Sequence, residues 1–184
     1  LHKNAKLLAV KPMDCVLRVK NDAWRNLDLR DYIVGGAIDG NGLASCLVLD
    51  RCWGYRLSNL KLFNPKKYGL VAGKGVVELD ASGVYVLTRK HGLSGNTGIY
   101  ACGGDNHFTD IFVLDCTIGV RSKGASNRFT RIHVWGGSLP RRTPDEVPEM
   151  LIDSVSFWIE GHSNLLRDCY SDTGGTGFLI DGAW

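Results

Sequence analysis

Apolar and polar residues alternate along this chain in short β-branched runs broken by Gly, Asn or Asp. No stretch holds the i, i+3, i+4, i+7 apolar spacing of a helix over three turns. The segments 106–115 (NHFTDIFVLD) and 127–136 (NRFTRIHVWG) match closely at a spacing of 21 residues. The same pattern returns at 164–173 (NLLRDCYSDT), 55–64 (YRLSNLKLFN) and 22–31 (DAWRNLDLRD), and more weakly at 81–88 (ASGVYVLT). Stacking the copies gives three apolar columns: Trp24, Leu57, Phe108, Phe129, Leu166; then Leu27, Leu60, Ile111, Ile132, Cys169; then Leu29, Leu62, Val113, Val134, Ser171. The last two alternate as a strand requires. A second short strand is expected after each first one, opening on glycine and an apolar residue: Gly69-Leu70, Gly98-Ile99, Gly119-Val120 and Gly177-Phe178, with Met150-Leu151 as the variant.

A 21-residue period with no crossover helix is met by coils winding around one axis, so that equivalent strands pair in parallel. The expected fold is all-β: a single-stranded right-handed parallel β-helix, a solenoid of about six coils, occupying 1–184 as one domain. At ~4.8 Å per strand its cylinder would be roughly 30 Å long. Composition agrees, since 184 residues with 44% apolar and 22% charged side chains are typical of one globular domain. No apolar run approaches the ~18 residues of a membrane span, so none is expected. The 23 glycines, against a usual ~7%, imply many tight corners. The chain opens on Leu1 rather than methionine, and 177–184 reads as the start of another strand, so the natural chain is expected to extend at both ends.

Six cysteines form no C-x-x-C pair and no Cys/His cluster with zinc spacing. They are expected as free thiols packed like small hydrophobes, which favours a reducing compartment. A net charge of +3 is too slight to indicate nucleic acid, and Arg121, Arg128 and Arg131 face different ways on their strands, so no nucleic-acid partner is expected. HGLSG at 91–95 lacks a nucleophile elbow, and SDTGGTG at 171–177 lacks the lysine and helix of a phosphate loop. Asn106, Asn127 and Asn164 share one repeat position before a strand, where side-chain amides would bond from coil to coil as a ladder.

With these coils, the asparagine column and the segment GGAIDGNG at 35–42, the chain resembles the pectate-lyase-like superfamily of right-handed β-helices. That superfamily includes uronate lyases, polygalacturonase-type hydrolases, epimerases and phage tailspikes. The resemblance implies a carbohydrate-active protein, outside the cell or in the periplasm, with calcium as the one cofactor it would bring; the residues themselves show no cofactor motif. Paired aspartates, Gly-His-Gly and Arg-Ile-Lys of the polygalacturonase signature are absent, and neither calcium carboxylates nor the basic arginine of pectate lyases can be placed, so no catalytic residue carries over.

Side chains between the buried columns form two outward rows: Asp28, Lys61, Tyr85, Phe112, His133, Tyr170, and Arg30, Phe63, Leu114, Trp135, Asp172. They are too aromatic for a plain solvated face and predict a binding surface. Sugars stack on aromatic rings, so Trp135, Tyr85, Lys61 and Asp28 are candidate polysaccharide contacts. The longest insertions, 36–46, 88–97 and 136–149, are expected to wall one side. They bring Arg89, Lys90 and His91 in one case and Arg141, Arg142, Asp145, Glu146 and Glu149 in another, cations suited to carboxylated sugars. His133, with Tyr170 and Asp172 one coil away, is the first acid/base candidate. It or Tyr170 would take a proton α to a uronate carboxylate held by Arg131, Arg141 or Arg142. A hydrolase would instead use Asp172 with Asp153 or Glu146. The competing expectation is a non-catalytic fibre, tailspike or adhesin module whose outward aromatics pack in a homotrimer. The long charged insertion favours the enzyme, polysaccharide lyase or glycosidase.

Overall fold

The computed structural model describes residues 5–20, 31–89, 95–136 and 154–182. These are all-β, with no helix among them, so none is long and apolar enough to cross a membrane. They build two sheets, of eleven and seven strands, and every strand pair is parallel. The seven-stranded sheet stacks Cys15–Lys20, Ser45–Asp50, Tyr68–Ala72, Thr97–Ala101, Ile118–Ser122, Val155–Ile159 and Thr176–Ile180 in chain order. That is seven levels, one more than the six coils counted in the sequence.

The eleven-stranded sheet contains two ladders side by side. One runs through Tyr32–Val34, Arg56–Ser58 and Asp80–Ser82, the other through Lys6–Leu8, Ala37–Asp39, Lys61–Phe63 and Tyr85–Leu87; they merge in the eight-residue strands His107–Leu114 and Arg128–Trp135. The seam is a column of left-handed residues, Gly35, Asn59, Gly83, Asp110, Arg131 and Asp168, with φ between 51° and 70°. Glycine, asparagine and aspartate tolerate that conformation; Arg131 does not by itself, and its guanidinium is clamped by Asp110. A second left-handed column, Gly54, Glu78, Asp105, Ser126 and Ser163, turns the chain into this sheet. The glycine and Asn/Asp richness thus has a place in the fold.

The columns form as the 21-residue repeat predicts: Phe108 lies over Phe129, Ile111 over Ile132 and Val113 over Val134, all buried. The two phenylalanine rings stack at 5.1 Å and 7°. The weak copy at 81–88 is in register, Ala81 beside Phe108 and Val86 beside Val113. The copy at 22–31 is not. Ile33 takes the place below Leu57 expected for Trp24, and Ile38 the place below Leu62 expected for Leu29; residues 22–30 lie outside the described residues. The segment 36–46 is likewise no insertion, because Ala37–Asp39 and the first residues of Ser45–Asp50 are strands within it.

In the second sheet Leu70, Ile99 and Val120 stack as expected, and the next residue is Phe157, not Leu151. The preceding glycines let the sheets approach: a Cβ on Gly98 would overlap Val113 Cγ1 and lie 2.7 Å from the Gly119 carbonyl, and one on Gly119 would overlap Val134 Cγ1. One level on, the valine column passes to Ser171 and the glycine column to Ser156, before Gly177 resumes it, and the two hydroxyls bond at 2.8 Å. Two medium side chains replace a large and an absent one. That exchange hid the variant strand from a search for glycine.

The asparagine ladder is present. Asn127 Oδ1 accepts from Asn106 Nδ2 at 2.9 Å and from its backbone N–H at 3.2 Å, while Asn164 Oδ1 accepts from Asn127 N–H at 3.0 Å.

Candidate functional site

Alternation sets the site. With Val86, Val113 and Val134 pointing inward, their neighbours must point outward, and the register places Lys61, Tyr85, Phe112, His133 and Tyr170 directly over one another. The rings make a continuous stack: Tyr85 on Phe112 at 4.9 Å and 8°, Phe112 to His133 at 5.6 Å, His133 to Tyr170 at 4.5 Å. Tyr85 is 43% and Tyr170 53% exposed. The second outward row is Asp39, Phe63, Leu87, Leu114, Trp135 and Asp172, with Trp135 half exposed. Ala37 occupies the place beneath Lys61 expected for Asp28.

His133 sits between the Phe112 and Tyr170 rings, and its Nε2 is buried without a hydrogen-bond partner, 4.0 Å from Asp172 Oδ2. That separation exceeds a hydrogen bond, yet Asp172 is the carboxylate nearest to orient the ring. Arg131 is set apart from the row. Its Nε and Nη2 donate to Asp110 Oδ1 and Oδ2 at 2.6 and 2.7 Å, and these bonds hold the Asp110 carboxyl below its ordinary range. A fork already engaged by one carboxylate is poorly placed to hold a second. At the foot of the second row, burial pushes the Asp39 carboxyl up, but hydrogen bonds from Lys6, the Asn41 backbone and Asn64 outweigh it and leave it lowered. Asp39 is engaged in structure.

The wall therefore gathers Lys61, Tyr85, His133, Tyr170, Trp135 and Asp172. Asp28, Asp153, Arg141 and Arg142 lie outside the described residues. The repeat position expected for Asp153, level with Ala72, Ala101 and Ser122, is held by Ile159.

Two features were not anticipated. On the outer face of the second sheet, the Arg121 guanidinium packs 3.9 Å from the Trp158 ring and 6.0 Å from Tyr100, while Glu160 takes Nε at 2.6 Å and Nη2 at 3.2 Å. Lys123 adds a contact to Glu160 at 3.2 Å, and Tyr100 stacks on Tyr68 at 5.0 Å. A hydrogen bond with Cys102, reinforced by burial, pushes the Tyr100 hydroxyl up to about 12. Reading outward positions of the second strand as well as the first would have found this row. The other feature is a groove of about 710 Å³ at the corner leading into the first sheet, lined in part by Glu78, Asp80, Asp105, His107 and Arg128.

All six cysteines are free. Among the described residues no group of three or more His, Cys, Asp or Glu side chains could hold a metal ion, so no calcium ligands are assigned. Comparison of the chain with protein-family models, curated proteins and solved structures finds no match.

Proposed function

We propose that the chain is a right-handed parallel β-helix that binds an acidic or plant-type polysaccharide along its first-sheet wall and cleaves it. Parallel pairing at every level, two sheets visited alternately and left-handed residues recurring at the same corners support the winding; the hand follows the general rule for parallel connections. The observation that carries the function is the unbroken Tyr85–Phe112–His133–Tyr170 stack with Trp135 beside it. An open aromatic strip running along the stacking direction suits a polymer better than a compact ligand.

In this reading the reaction is a β-elimination. The imidazole of His133, held between the Phe112 and Tyr170 rings, takes the proton α to a uronate carboxylate; the electron pair forms the enolate and then the double bond as the glycosidic C–O bond breaks; the Tyr170 hydroxyl gives its proton to the leaving oxygen. Lys61 stands three levels from His133, roughly 14 Å at the parallel spacing, so it serves a neighbouring uronate rather than the reacting one. Arg131 is bound to Asp110 and is not assigned to the reacting carboxylate; the other two candidates, Arg141 and Arg142, lie outside the described residues.

The test is ultraviolet detection of unsaturated products from a panel of polyuronates, with and without calcium. Turnover is expected on at least one polymer, with His133→Ala lowering kcat about 100-fold or more and Tyr85→Ala acting mainly on KM. Inactivity across the panel, or full activity of His133→Ala, refutes the chemistry. A trimer in solution that buries Trp135 and Tyr85 would assign the row to subunit packing in a fibre or adhesin instead.

A further inference from the structure

We propose that the groove at the corner into the first sheet is a second ligand site, shaped for an uncharged, hydroxyl-rich glycan segment. It is separate from the aromatic row and does not depend on that row's chemistry.

The groove is built by repetition. One wall is the strand row Asp80, His107, Arg128, Leu165, paired residue to residue across four levels. The other is the corner row two positions earlier, Glu78, Asp105, Ser126, Ser163, each left-handed with φ of 55° to 58°. The length is roughly 14 Å at the strand spacing, and about 710 Å³ falls within the usual size of ligand sites. Because hydrogen-bonded rungs hold both walls, a ligand finds the groove already formed.

The polar groups divide into engaged and available. Glu78 accepts from Trp53 Nε1 at 2.9 Å, and Asp80 lies 3.8 Å from Arg56. Among the described residues the side chains of Asp105, His107 and Arg128 make no hydrogen bond or ion pair, although they line the groove together. Asp105 offers acceptors, Arg128 a fork of donors and His107 a ring with two nitrogens. A vicinal diol needs an acceptor and a donor close together, and this set supplies both. Leu165, 54% exposed, gives an apolar surface for the C–H face of a ring.

Charge selects the class. Three carboxylates (Glu78, Asp80, Asp105) stand against the lining Arg128 and the Arg56 beside Asp80, a net negative charge that disfavours a polyuronate. The three carboxylates are not grouped as metal ligands. A basic peptide would have to pass Arg128, and three of the four lining strands, Asp80–Ser82, His107–Leu114 and Arg128–Trp135, are bonded on both sides.

The experiment is isothermal titration and imidazole-detected NMR of the protein with cellohexaose, xylohexaose and mannohexaose, with hexagalacturonate and hexalysine as controls. At least one neutral hexasaccharide should bind and shift the His107 resonances. Asp105→Ala with Arg128→Ala should weaken binding about tenfold or more, and Tyr85→Ala should leave it unchanged. Asp105→Asn and Arg128→Gln, exposed and near-isosteric, serve if the alanine pair does not fold. No binding by any neutral sugar, binding that survives the groove substitutions, or hexalysine or hexagalacturonate binding there in its place overturns the proposal.

Discussion

Replacing Asn127 by alanine tests the ladder where it is most enclosed. Asn127 is fully buried and makes four side-chain bonds: Oδ1 accepts from Asn106 N–H and Nδ2, and Nδ2 donates to the Gly103 carbonyl at 3.0 Å and to Ser122 Oγ at 3.3 Å. Two partners keep an alternative, Asn106 Nδ2 at the Val76 carbonyl and Ser122 Oγ at Asn164. The Asn106 N–H and the Gly103 carbonyl lose the bond that the side chain supplied. At about 1–3 kcal/mol per stranded buried group, Asn127→Ala should cost about 3–5 kcal/mol. Asn164 makes a similar set of bonds to the Gly124 and Gly161 carbonyls and to Asn127, but it is half-buried, so water can replace them; Asn164→Ala should cost about 1–2 kcal/mol. Urea unfolding followed by tryptophan fluorescence reads both as a fall in midpoint at constant slope. A loss below about 1 kcal/mol for Asn127→Ala, or equal losses for the two variants, would refute the reasoning that burial makes this ladder a stabilising element.

Three further outcomes follow from the packing and the charges. Gly98→Ser should destabilise by about 1–3 kcal/mol, because its Cβ meets Val113 and the Gly119 carbonyl; in a Val113→Ser background the cost should shrink, reproducing the Ser156–Ser171 pair, and a strictly additive double-mutant cycle would contradict this account. Burial pushes the Cys46 and Cys116 thiols up to about 12, so iodoacetamide at pH ~8 should label the half-buried Cys15 and Cys102 first; early labelling of Cys116, read by mass spectrometry, would count against the packing. Hydrogen bonds from Arg121, with burial opposing and Lys123 assisting, hold the Glu160 carboxyl below its ordinary 4.5. Its contribution is complete above that value and lost as pH falls through the lower folded one, so Glu160→Gln should flatten the acid limb of stability below about pH 5; an unchanged limb in urea midpoints would dismiss the pair.

What was readable in the chain is what recurs. Phe108/Phe129 and Ile111/Ile132 announce their pairing because one residue type repeats at 21, and the outward row from Lys61 to Tyr170 follows once those columns point inward. Misreadings fall where one level meets the same physical demand with different residues. At the level of Ile33 and Ile38 the middle apolar position, Leu60 one level on, falls to Gly36 beside the left-handed Gly35, and the cleaner alternation of NLDLRD drew the register to 22–31. At Ser156 and Ser171 a hydroxyl pair fills the volume that glycine and valine share elsewhere. Arg131 looked free because sequence does not show that its neighbour at 21, Asp110, turns its side chain across the same bend. The groove depended still more on backbone: Glu78 and Asp105 border it only because both adopt φ of 55°, a conformation that neither residue type announces. Periodicity therefore exposes core columns and the rows between them, whereas a groove with one wall made from corners requires knowing how each corner turns.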